Sequence, residues 1–206
     1  QIAGIIVEPL QRLIPPAPGF LEGLRQLCTQ EDIVLIFDEV VTGFRFAYGG
    51  AQELYGVTPG LCTLGKAMGG GYPLAAIAGK AEIMAHFDKS KAGAEGFCYQ
   101  VGTLSGNPIA SVAGLKTLEI LARPGTYDDM RAKGKTIMQG LQDALSKAGV
   151  AHQVVGDPTL FDVVFTNTSV NNYRDVFHAD KAVTKRFNDG LRQRGLQVRR
   201  GGHRAV

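Results

Sequence analysis

Two places in the sequence set reactive side chains where a buried strand should end. Lys66 stands in Thr63-Leu64-Gly65-Lys66-Ala67-Met68-Gly69-Gly70-Gly71, directly after a short apolar run and among small residues. A lysine amine kept from water in a pocket of bare backbone is a nucleophile toward carbonyls and forms a Schiff base with them. The second place is Asp38-Glu39, which follows the apolar run Ile33 to Phe37. A carboxylate there is costly to bury unless it meets a cation. Beside a Schiff-base lysine, that cation would be the protonated ring nitrogen of an electron-withdrawing cofactor. Taken singly, an Asp-Glu pair also reads as a loop acid or helix cap, and Gly65-Lys66 as a turn with an exposed lysine. A nucleotide phosphate loop is excluded, because Ala67 stands after Lys66 where that loop needs Ser or Thr. Without the loop, Asp38 has no case as a magnesium ligand of a nucleotide hydrolase.

A third segment, Gly102-Thr103-Leu104-Ser105-Gly106-Asn107-Pro108, sets hydroxyls and backbone amides ahead of an apolar helical stripe. Such a helix start can hold a phosphate. It is equally an ordinary cap, with Asn107 as N-cap and Pro108 as first helical residue, and the two readings are compatible.

These residues need a sheet to hold them. Apolar runs at Ile2 to Val7, Ile33 to Phe37, Leu61 to Leu64 and Leu74 to Ala78 predict buried strands. Helical spacing recurs at Phe20, Leu21, Leu24 and Leu27, and again from Ile109 through Val112, Leu115 and Leu118 to Leu121. Arg123-Pro124-Gly125 breaks the pattern. Beyond it come an amphipathic helix from Met130 to Leu145, strands at Val154 to Val155 and Leu160 to Phe165, and a helix from Lys181 to Arg194. The expectation is an α/β fold, with a mostly parallel sheet in residues 1–122 and a smaller α+β domain in 123–206. The 206 residues are 45% hydrophobic and 20% charged with a net charge of +3, too mild and dispersed for a nucleic-acid or membrane surface. The odd cysteine number (Cys28, Cys62 and Cys98) points to a reducing compartment, the cytoplasm, with the thiols as small buried hydrophobes.

In order along the chain, Ile6-Val7-Glu8-Pro9, Asp38-Glu39-Val40-Val41-Thr42-Gly43-Phe44-Arg45, Leu64 to Gly71, and Gly102 to Pro108 resemble the motifs of class III aminotransferases. These are pyridoxal-phosphate (PLP) enzymes of fold type I, and the chain is most similar to their glutamate-1-semialdehyde aminomutase group. The resemblance runs to about Arg199. It implies that Lys66 is catalytic, holding PLP as a Schiff base and shuttling a proton between substrate and cofactor carbons. It implies Asp38 on the pyridinium nitrogen, Val40 on one face of the ring, and Gly102 and Thr103 at the phosphate. Thr103 would reach the neighbouring subunit's site, so a homodimer is expected, acting on a small amino donor and a keto or aldehyde acceptor. Glu8 is expected to serve structure near the site.

Some segments depart from the aminomutase pattern. Leu10-Gln11-Arg12-Leu13-Ile14 stands where aminomutases usually carry a Gly-Asn-Met-Gly loop, and Arg200-Gly201-Gly202-His203-Arg204 replaces a Phe-Glu-Ala-Gly stretch. Both favour transamination over semialdehyde isomerisation, and Arg12, Arg200 and Arg204 are candidates to pair with a substrate carboxylate, against the plainer reading of each as a solvated side chain. The family's Ser/Gly-Thr-Glu-Ala phosphate segment has no counterpart, and both ends look cut, so the chain is expected to be about half a family member. That leaves an inactive remnant acting as a partner subunit as a rival, beside the aminomutase. His86, His152, His178 and His203 are scattered without metal-ligand spacing and read as surface or packing residues. Tyr99-Gln100 is a candidate pocket wall.

Overall fold

The computed structural model describes residues 2–11, 13–197 and 204–205. Arg12, Arg200 and His203 lie outside the described residues, as does the side chain of Arg204. The chain divides into two compact units, one of Gln1–Pro9 with Pro16–Pro124, the other of Leu10–Pro15 with Gly125–Val206.

The first unit holds β1 (Gly4–Val7), α1 (Phe20–Gln30), β2 (Val34–Glu39), α2 (Gly50–Tyr55), β3 (Leu61–Leu64), a 3-10 turn (Lys66–Gly69), β4 (Ala76–Gly79), α3 (Ala81–Met84), α4 (Lys89–Gly96) and α5 (Pro108–Leu121). Its sheet has the order β1-β2-β3-β4. β1 to β3 run parallel and β4 is antiparallel to β3, so the sheet is mostly parallel as expected. Strand alternation sorts the two faces of β2. Leu35, Phe37 and Glu39 are fully buried on one side, while Asp38 faces the other. Leu21 and Cys28 of α1 meet Leu35, Phe37, Val57 and Cys62 in one core. Each large side chain there contributes roughly 1.5–3 kcal/mol by leaving water.

α5 is apolar nearly all round, and its buried side is not the expected stripe. Ala110 and Gly114 are buried, whereas Ile109, Val112 and Leu115 are exposed in this chain. The small residues win that side because the backbone passes so close. A Cβ on Gly114 would overlap Leu74 and stand 3.2 Å from the carbonyl oxygen of Met68, in the turn that begins at Lys66.

The second unit holds α6 (Thr126–Lys147), β5 (Gln153–Asp157), β6 (Leu160–Val164), α7 (Tyr173–Val176), α8 (Lys181–Gln193) and β7 (Arg204–Ala205). Its sheet is antiparallel, in the order β5-β6-β7. Leu145, Val163 and Phe165 form its core, with Phe187 of α8 edge-on to Phe165 at 5.3 Å. Asp157 ties the β5–β6 hairpin down. Its Oδ2 meets Arg131 Nη1 at 2.9 Å, and its Oδ1 accepts from the amide and hydroxyl of the fully buried Thr159. Gly134 of α6 lies so near this hairpin that a Cβ would overlap the Pro158 carbonyl group, which is backbone and cannot swing aside. Gly134→Ala is therefore expected to destabilise this unit by about 1–3 kcal/mol through overpacking. A thermal melt checks this, and a melting temperature equal to wild type would refute the close approach.

Candidate active site

In an open parallel sheet, ligands gather where the strands end at their carboxyl termini. Glu8 directly follows β1, Asp38-Glu39 closes β2, and Gly65-Lys66 directly follows β3. The parallel pairing of β1 to β3 thus carries Glu8, Asp38 and Lys66 to the same end of the sheet.

The two acids of β2 have separate fates. Asp38 pairs in register with Thr63 of β3. Its Oδ1 accepts from the Val40 amide at 3.1 Å and from the Thr63 hydroxyl at 3.0 Å. Oδ2 has no hydrogen bond among the described residues, which leaves one carboxylate oxygen open to a ligand. Glu39 points the other way and is fully buried. Among the described residues it meets no cation, contrary to the expectation for a buried acid in this pair. Neutral donors satisfy it instead: Thr42 Oγ1 at 3.0 Å, the Ala51 amide at 2.5 Å and Gln52 Nε2 at 2.8 Å. Glu39 therefore pins the end of β2 to α2, a role that sequence reasoning missed. Its partners lie up to 13 residues away, and only the chain reversal through Gly43 and Gly50 brings them there.

Lys66 opens the 3-10 turn with φ of 46°, a left-handed conformation that side chains with a Cβ seldom adopt. The extended Gly65 before it and the α5 contact at Met68 hold that backbone. The side chain is exposed in this chain and has no ion pair among the described residues. The enclosing pocket expected around it is therefore not built by the residues described.

A cavity of about 700 Å³ opens on the Asp38 face, lined by Val40, Thr63, Met84, Tyr99, Gln100 and Ser105 among others. Tyr99 and Gln100 thus do form a pocket wall. Asp38 and Lys66 do not line this cavity: Asp38 is joined to it only by its bond to the lining residue Thr63, and Lys66 follows two residues after Leu64, another lining residue. Gly102 and Thr103 are exposed and do not line it. Asn107 takes the cap role, its Oδ1 accepting from the amides of Ile109 and Ala110 at 3.0 and 3.1 Å. Those amides are occupied, so an anion at this helix start would rely on the exposed Gly102–Gly106 segment. Glu8 is exposed just beyond β1.

The thiols differ from expectation at one position. Cys28 and Cys62 are buried, but Cys98 is exposed. Burial pushes the Cys62 thiol up, which makes it a packing residue rather than a nucleophile. His86 and His152 each place Nδ1 2.7 Å from a backbone carbonyl, of Gly96 and Val150 respectively. Among the described residues no group of His, Cys, Asp and Glu could hold a metal ion, and no helix is long and apolar enough to cross a membrane.

The family model for class III aminotransferases matches residues 1–206. This chain belongs to the class III aminotransferase family. Among solved structures, this aminotransferase-family chain is similar to an omega-transaminase from Sphaerobacter thermophilus, with 35% identity and a TM-score of 0.87 over 95% of this chain and 45% of that one. It is also similar to a transaminase with PLP bound, at 26% identity and a TM-score of 0.87, covering 100% of this chain and 47% of the other. A glutamate-1-semialdehyde aminomutase from Pseudomonas aeruginosa PAO1 matches at 24% identity and a TM-score of 0.80, over 95% and 45% of the two chains. That last likeness carries the fold alone. The chain spans a little under half the length of these aminotransferase structures.

Proposed function

We propose that this chain supplies the lysine-bearing part of a PLP-dependent aminotransferase, which moves an amino group between an amino acid or amine and a keto acid or aldehyde. The observation that carries the reading is the pairing of a half-satisfied carboxylate with an unpaired lysine at one end of a parallel sheet. Oδ1 of Asp38 is saturated by Val40 and Thr63 while Oδ2 is open, and the Lys66 amine is exposed and unpartnered among the described residues.

That donor set fits the cofactor. When bound, PLP supplies an electron sink that acidifies the carbon bearing the substrate's amino group. Oδ2 of Asp38 would accept from the ring N–H and keep that nitrogen protonated. Val40, which lines the cavity beside Thr63, would pack against the cofactor ring. Lys66 Nζ would hold the cofactor covalently and would be the base that moves the proton at the substrate carbon. Gly102 and Thr103 would hold the phosphate. Their exposure in this chain supports a Thr103 that serves a neighbouring subunit, and with it a homodimer. In this reading residues 1–122 belong to the cofactor-binding domain and 123–206 to the smaller domain. The compartment is the cytoplasm, supported by the free thiols of Cys28, Cys62 and Cys98.

The test is an absorption spectrum with PLP before and after borohydride, followed by peptide mapping. A visible band that is trapped on the peptide containing Lys66 is the expected result. Trapping elsewhere, or no band from the full native polypeptide, would overturn the reading.

A further inference from the structure

We infer that Thr63 is a positioning residue of the cofactor site, its hydroxyl joining the Val40 amide on Asp38 Oδ1 so that Oδ2 alone is presented to the ring nitrogen. The inference rests on the proposed PLP reading of Asp38 and Lys66.

Thr63 and Asp38 are register partners on adjacent parallel strands, so their side chains leave the sheet on the same face. The hydroxyl lies 3.0 Å from Oδ1, and Thr63 also lines the 700 Å³ cavity that holds Val40. The terminal torsion of an aspartate is broad and soft. With the Val40 amide alone, at 3.1 Å and only two residues along the chain, the carboxylate keeps freedom to turn and to exchange its oxygens. A second donor on Oδ1 from the neighbouring strand removes that freedom. The orientation cost is then met during folding rather than during cofactor binding. The hydroxyl has one proton and spends it on Asp38, so its role toward the cofactor is indirect.

A cross-strand Thr-to-Asp bond could equally serve the sheet alone, and the two roles predict different measurements. In the full native polypeptide, Thr63→Val keeps the shape and β-branching but removes the donor, and Thr63→Ser restores it. PLP affinity is measured by titration, and ring-nitrogen protonation by magnetic resonance of isotopically labelled PLP. The melting temperature of the cofactor-free protein is recorded alongside. Expected for Thr63→Val are PLP binding weaker by about tenfold, because the carboxylate must then be oriented at binding rather than at folding, and a ring-nitrogen resonance moved toward the unprotonated form. The cofactor-free melting temperature should fall only by the few degrees that loss of one hydrogen bond brings, and Thr63→Ser should return both cofactor readouts to near wild type. Wild-type affinity and resonance in Thr63→Val, or no rescue by Thr63→Ser, would overturn the role of Thr63 while leaving the PLP site standing. Failure of the wild-type protein to fix PLP on Lys66 would instead overturn the site reading, and this inference with it.

Discussion

Replacing Lys66 with alanine is expected to abolish covalent capture of PLP and leave the fold intact. The side chain is exposed and has no ion pair among the described residues, so truncation removes no packing and breaks no bridge. Nor does it relieve or add backbone strain. At φ of 46°, lysine and alanine both carry the Cβ that the left-handed region disfavours. The change in stability is therefore expected within about 0.5 kcal/mol, as for ordinary surface substitutions. Circular dichroism and a melt check the fold, and borohydride trapping with mass spectrometry checks the chemistry. PLP still fixed to the variant would mean that another amine holds the cofactor.

The second large effect is expected from Asp38→Asn. The side-chain oxygen of asparagine can accept from the Val40 amide and the Thr63 hydroxyl just as Oδ1 does, so the local geometry survives. What changes is the atom in place of Oδ2, which in the proposed site would be an NH₂ donor facing a ring nitrogen that needs an acceptor. The ring nitrogen then loses its proton and the cofactor its pull on the substrate carbon. Proton abstraction is expected to slow by roughly 10²–10⁴-fold, the range over which a positioned acid–base partner contributes. Single-turnover absorbance after mixing the PLP-loaded protein with an amino donor measures it, and near-normal rates would remove Asp38 from the ring nitrogen.

Much of this site was legible because it lies where apolar runs stop. The run from Ile33 to Phe37 ending on two acids marked β2, and Leu61 to Leu64 before Gly65-Lys66 marked β3. The strand continues through Glu39, two residues beyond the apolar run, because α2 and Thr42 satisfy a buried carboxylate there. Nothing in a one-dimensional pattern announces partners 12 and 13 residues downstream. The fourth apolar run, Leu74 to Ala78, was also read as a strand, but apolar content carries no direction, and its antiparallel course emerged only from pairing. α5 misleads for a different reason. Its largest residues form the visible stripe, yet close approach to the Lys66 turn demands the smallest, Ala110 and Gly114. The left-handed backbone of Lys66 was equally invisible, because sequence favours glycine for such angles and glycines stand on both sides of this turn.

The spatial order of the first sheet is also its order along the chain, β1-β2-β3-β4, with every strand hydrogen-bonded to the one made just before it. A nascent polypeptide leaving the ribosome can therefore add each strand to an existing edge without waiting for later residues. Under that schedule Asp38 acquires its Thr63 partner as soon as the third strand docks, without waiting for β4 to pair. A growing chain whose third strand has docked would then already hold that carboxylate oriented, well ahead of any encounter with PLP.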